Sequence, residues 1–89
     1  MRNFMDVLRK LKSMSEDSEL TKQFEAVESD ATFTAPEALW EIRGRQVSDI
    51  LYNYAVANEH ATDDWYISLL SEFTQKTNEE CLNFVKGLK

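Results

Sequence analysis

The sequence has little of what catalytic and cofactor sites usually require. Its 89 residues include two glycines, one proline, one histidine and one cysteine. Such sites are commonly built on a glycine-rich loop, a nucleophile paired with a base, or a cluster of metal ligands. None of these patterns occurs in the sequence. We therefore expect a non-enzymatic protein that uses neither a metal nor another cofactor.

Long apolar runs are also missing from the sequence. No run approaches the roughly 20 residues that a membrane-spanning helix needs, and the first residues lack the apolar core of a signal peptide. The single cysteine, Cys81, cannot form an internal disulfide. These features predict a cytoplasmic protein that does not bind membranes.

Positive charge is scarce relative to negative charge. Sixteen acidic residues stand against ten Lys and Arg residues, and the net charge is −6. Direct binding to nucleic acid is therefore disfavoured. The acids concentrate in residues 16–30 and 59–80, whereas the bases gather near the N-terminus and at Arg43 and Arg45. This segregation favours another protein with a basic surface as the partner.

The residues that are abundant repeat at helical spacing. Hydrophobic residues make up 43% of the chain, and they recur at intervals of three and four. The pattern predicts a single all-α domain over residues 1–89, a small bundle of four or five helices. The first two helices are predicted at Asn3–Met14, with Asn3 as the N-cap, and at Ser18–Glu28.

Two longer helices are predicted to form an antiparallel hairpin at 35–87. The third helix begins at a capping box, Thr34 with Glu37, preceded by Phe33 as a hydrophobic staple, and runs to about Asn58. The fourth begins near Thr62 and continues to about Lys86, with Phe84 on its apolar row and Gly87 as a C-terminal cap. A second capping box at Thr77 indicates a break near Lys76 instead, and both interpretations stay open.

Four residues are predicted to contact a partner. Tyr52 and Trp65 lie off the main apolar rows, and aromatic residues of this kind are enriched at binding hot spots. Arg43 and Arg45 flank Gly44 inside a helix, where glycine costs roughly 1 kcal/mol relative to alanine. Close helix packing at Gly44, with or without a kink, is the favoured explanation of that glycine. The alternative is the close approach of a partner paired with the two arginines.

Two groups of residues resemble chemical sites only weakly. Glu59, His60, Asp63 and Asp64 would need further ligands from another helix to hold a metal, and a polar turn with first-turn acids, which explains all four without a site, is strongly favoured. Cys81 lies on an apolar row, far in sequence from the single histidine, which favours a buried structural cysteine over a catalytic thiol.

These observations together predict a small acidic protein-binding module, an inhibitor or an adaptor that acts on a larger protein. The alternative is a self-assembling structural protein, in which two copies form a helical homodimer or a higher oligomer. A nucleic-acid mimic based on the acidic segment Glu16–Asp30, and a metal-dependent enzyme, are less favoured hypotheses.

Overall fold

The computed structural model describes residues 2–88 and confirms the all-α fold. Five α-helices follow one another in this range, namely α1 (Phe4–Met14), α2 (Ser18–Ala31), α3 (Gly44–Ala57), α4 (Asp64–Thr74) and α5 (Asn78–Gly87). A 3₁₀ turn at Pro36–Ala38 and a π-helical turn at Leu39–Arg43 precede α3, and a second 3₁₀ turn at Glu59–Thr62 precedes α4. The predicted hairpin at 35–87 is therefore built from three shorter α-helices and these turns.

The N-terminal helices form where the sequence predicts them, except that α2 continues to Ala31 instead of ending at Glu28. The Asn3 side chain accepts a hydrogen bond from the Asp6 amide at 3.1 Å, which caps α1. The Asp17 carboxylate caps α2 through the amides of Glu19 and Leu20. The apolar rows of both helices enter one core, which all five helices share. Its fully buried members include Leu8, Leu11, Leu20, Phe24, Val27, Val47, Leu51, Tyr66, Leu69 and Val85.

The predicted N-cap of the third helix is wrong, although helical structure does begin at Pro36. Thr34 does not cap a helix, because its hydroxyl donates to the Asp30 carbonyl at 3.0 Å and accepts from Arg43 Nε at 2.9 Å. Phe33 is 90% exposed and therefore forms no hydrophobic staple. The chain instead enters α3 through the 3₁₀ and π-helical turns, so the helix predicted from Thr34 is not one continuous α-helix.

Gly44 follows the π-helical turn and is buried against Trp40. A Cβ atom at Gly44 would lie 3.3 Å from Trp40 Cε3, closer than ordinary van der Waals contact. Trp40 thereby gains room to pack its ring against Phe4 and Phe73. Gly44 is thus closely packed, but against Trp40 of the preceding turn of its own helical segment rather than against another helix.

The break near Lys76 is the correct reading of the last segment. Gln75 adopts the left-handed conformation, with φ 62°, and its amide donates to the Ser71 carbonyl at 2.8 Å. Thr77 and Glu80 then form the predicted capping box, with each side chain accepting from the other residue's amide. Gly87 is the last residue of α5 rather than its C-cap, which is Leu88.

Replacing Thr77 by alanine should therefore destabilise the fold by about 1 kcal/mol, because α5 would lose its N-cap. Urea unfolding followed by circular dichroism measures this difference in the free energy of unfolding. Thr62→Ala is the matched control, since Thr62 is exposed and makes no side-chain hydrogen bond within residues 2–88. Equal stability of the two variants would contradict the capping role of Thr77.

Candidate functional site: an apolar groove between α3, α4 and α5

An apolar groove opens where α3, α4 and α5 meet. Its cavity volume is about 140 Å³. The groove, called the α3–α5 groove below, is lined by Ser48, Leu51 and Tyr52 of α3, Leu70, Phe73 and Thr74 of α4, Lys76 of the loop, and Cys81 and Phe84 of α5. A wider hollow between α4 and α5 is shallower and includes the carboxylates of Asp64 and Glu79. The α3–α5 groove is thus the more enclosed apolar site in the described chain.

The floor of the groove is buried, whereas its rim is exposed. Leu51, Leu70 and Cys81 are buried, and the Tyr66 hydroxyl ties α4 to α3 by donating to the Leu51 carbonyl at 2.6 Å. At the rim, Tyr52 is 50% exposed and Phe84 is 47% exposed. A buried apolar floor edged by two exposed aromatic rings is suited to holding an apolar side chain from outside.

The break at residues 75–77 creates this rim. Because the left-handed Gln75 ends α4, α5 begins with a new helical phase that buries Cys81 and Val85. Phe84 consequently leaves the apolar row on which the sequence placed it and lies at the groove edge. Phe84, which the sequence places on the apolar row of the last helix, is thus half-exposed, and the signal that pointed to the break is the capping box at Thr77.

Two of the four predicted contact residues are exposed on α3. Tyr52 forms part of the groove rim, as described above. Arg45 is exposed and makes no hydrogen bond or ion pair with any other residue in the range 2–88. Both side chains are available to a partner, and their role in binding stays a prediction.

The other two predicted contact residues make contacts within the fold. Arg43 donates to Thr34 Oγ1 at 2.9 Å and to Gln46 Oε1 at 2.6 Å, and its guanidinium lies 3.6 Å from the Asp30 carboxylate. It thereby fastens the π-helical turn to the end of α2. Trp65 is half-buried and lies outside the α3–α5 groove.

Trp65 belongs to an aromatic cluster with Tyr54 and Tyr66. The two tyrosine rings stack with centroids 4.8 Å apart, and Trp65 lies edge-on to each at 5.9 Å. Burial, followed by the nearby Asp17 carboxylate that accepts the Tyr54 hydroxyl at 3.3 Å, raises the pKa of Tyr54 to about 12. Burial is also the main cause that raises the pKa of Tyr66.

The weak candidates for chemistry do not assemble into a site in residues 2–88. His60 Nδ1 lies 2.9 Å from the Asp63 carboxylate on an exposed turn, and no group of three or more His, Cys, Asp or Glu residues in this range could hold a metal ion. Cys81 is buried, and its sulfur lies 3.7 Å from the Thr74 hydroxyl. The prediction that Cys81 is buried is confirmed, and its structural role stays a prediction.

Several charged side chains stabilise the fold locally. In the acidic segment, Asp17 caps α2, Glu28 pairs with Lys12 at 3.0 Å and Asp30 accepts from Gln46 at 3.0 Å, whereas the other acids of α2 are exposed. Arg2 donates to two carbonyls at the end of α4. Half of the six acids in the segment 16–30 therefore already have a partner inside the molecule.

Among residues 2–88, no helix is both long and apolar enough to span a membrane. Comparison of the chain with protein-family models, with curated proteins and with solved structures gives no match.

Proposed function

We propose that this chain is a small, non-enzymatic protein-binding module that acts in the cytoplasm as an inhibitor or an adaptor, and that the α3–α5 groove is its docking site. The observation that carries the proposal is the groove itself, an apolar cavity of about 140 Å³ between the half-exposed rings of Tyr52 and Phe84. Binding hot spots typically combine a well-packed apolar pocket with aromatic residues at its edge.

The size of the cavity defines what the partner inserts. An engineered apolar cavity of about 150 Å³ in another protein binds benzene, so the α3–α5 groove has room for one aromatic or leucine side chain. The lining is mainly apolar, and its polar contributions come from Ser48, Thr74 and Lys76. The partner therefore contributes a single apolar anchor residue rather than a charged one.

The charge of the chain favours a basic surface around that anchor. The net charge of −6 produces a field that accelerates encounter with a positively charged protein and weakens as salt is added. Glu16, Glu19 and Glu25 are exposed and make no ion pair within residues 2–88, so they contribute fully to this field. Salt should therefore slow association, whereas the apolar anchor should keep the assembled complex together.

The first experiment captures the partner on tagged protein and then measures its affinity by calorimetry. Phe84→Ala should raise the dissociation constant by about thirtyfold, because truncating an aromatic hot-spot residue costs about 2 kcal/mol. Phe33→Ala is the matched control, since Phe33 is an exposed phenylalanine outside the groove and its removal should leave the affinity unchanged.

Two results would contradict this proposal. One is an equal affinity of wild-type protein and Phe84→Ala for the captured partner, with the variant shown to be folded by circular dichroism. The other is a loss of affinity in Phe33→Ala alone, which would place the docking site at the turn after α2.

A further inference from the structure

The side of α3 that faces away from the core carries an unusual stripe. Its members Arg45, Asp49, Tyr52 and Val56 are all exposed, and Ile42, also exposed, precedes them by one turn. The intervals along this stripe are three, four, three and four residues. This is the spacing with which one helix contacts another in a coiled coil, and the stripe is called the α3 seam below.

The composition of the α3 seam differs from that of an ordinary solvent-facing surface. Ile42, Tyr52 and Val56 are large apolar residues, each about half exposed. The solvent side of a surface helix usually carries polar and charged residues. Apolar residues at both ends of the seam and one charge of each sign at its centre form a pattern that a second helix can cover.

The two central charges determine whether that second helix is parallel or antiparallel to α3. If two copies of α3 pack antiparallel about a two-fold axis at the level of position 47, Arg45 of each copy faces Asp49 of the other. The same register places Ile42 of each copy opposite Tyr52 of the other. In a parallel arrangement, Arg45 would instead lie beside Arg45 of the other copy and Asp49 beside the other Asp49, and these like charges repel each other.

Neither central charge has a partner inside the molecule. Within residues 2–88, Arg45 and Asp49 make no hydrogen bond or ion pair, although they lie four residues apart on one helix. Both side chains are therefore free to pair across a two-fold axis, where each ion pair occurs twice. A self-complementary patch of this kind is what a two-fold symmetric dimer requires.

We propose that two copies of this chain associate antiparallel through the α3 seam, with reciprocal Arg45–Asp49 ion pairs at the centre of the interface. This inference goes beyond the docking site proposed above, because the seam shares only Tyr52 with the α3–α5 groove. It also defines the surface and the symmetry of the homodimer that the sequence left open.

Charge reversal tests the inference through the mass of the protein in sedimentation equilibrium. The wild-type protein should show a concentration-dependent rise from the 10.4 kDa mass of one chain towards twice that mass. Arg45→Glu and Asp49→Arg should each raise the dimer dissociation constant by about tenfold or more, because each turns two attractive pairs into repulsive ones. Both positions are exposed, so the fold is retained, and circular dichroism checks this.

Mixing the two charge-reversed variants is the decisive arm of the experiment. In the mixture, the acidic side chains of one variant face the arginines of the other at both pairs, so the heterodimer should form with at least the wild-type affinity. A wild-type protein that stays monomeric up to about 1 mM, a dimer that neither reversal weakens, or a mixture that does not associate would each overturn the inference. Phe84→Ala should leave the dimer intact, which separates this test from that of the α3–α5 groove.

Discussion

Between pH 10 and pH 12 the free energy of unfolding should fall by about 2–4 kcal/mol because of Tyr54 and Tyr66. Their folded-state pKa values are raised, that of Tyr54 to about 12, whereas tyrosine in an unfolded chain titrates near 10. Above pH 10 the unfolded state therefore binds fewer protons than the folded state, and stability decreases as pH rises. Below pH 10 both states are protonated, and the contribution of the two tyrosines is constant.

Urea unfolding at pH 8, 10, 11 and 12 measures this decline. Phenylalanine resembles tyrosine but has no ionisable group. Tyr54→Phe and Tyr66→Phe should therefore each lose stability less steeply with pH than the wild-type protein over this range. The lysines titrate in the same way in all three proteins. The difference between the stability curves therefore reports the contribution of the tyrosines alone. Parallel stability curves for the wild-type protein and both variants would contradict the assignment.

Replacing Trp40 by alanine should destabilise the fold by about 3 kcal/mol, at the lower end of the range for a buried tryptophan, because the ring is partly exposed. The indole packs edge-on against Phe4, with ring centroids 5.2 Å apart, and also contacts Phe73. Its N–H donates to the Arg2 carbonyl at 2.7 Å, and the Arg2 guanidinium lies 5.2 Å from the ring centroid. The substitution thus removes contacts that join the N-terminus, α1 and α4.

Urea unfolding of this variant is followed by circular dichroism rather than by fluorescence, because removing Trp40 changes the fluorescence signal itself. Trp40→Phe is the matched control, because it keeps an aromatic ring but loses the indole N–H, and should cost about 1–2 kcal/mol. Domains of this size are commonly stable by only 5–15 kcal/mol, so the alanine variant loses a large part of that stability. A change below about 0.5 kcal/mol in Trp40→Ala would contradict the packing described above.

Local sequence signals predicted the parts of the fold that depend on local interactions. The caps at Asn3 and Thr77 each need only a side chain and an amide two or three residues away, and both form. The capping box at Thr34 has the same pattern but does not form, because the Thr34 hydroxyl is hydrogen-bonded to the Asp30 carbonyl and to Arg43 instead. These hydrogen bonds depend on how α2 packs against the π-helical turn. That packing cannot be predicted from a short segment of the sequence.

The candidate site was only partly predictable for the same reason. Tyr52 was recognised because it lies off the apolar row of its helix. Phe84 was missed because the periodicity of residues 66–84 continues across the break, although Gln75 changes the phase of α5 relative to α4. The α3–α5 groove needs three helices in their final positions, so it could be found only in the structure.

Docking of the partner at the α3–α5 groove, as proposed, is tested most directly by nuclear magnetic resonance of labelled protein titrated with the captured partner. We expect the largest amide and methyl shifts at the groove, around Leu51, Tyr52, Leu70 and Phe84. Shifts that concentrate instead on the exposed acids of α2, with the groove unchanged, would contradict it and would favour recognition by the acidic segment 16–30.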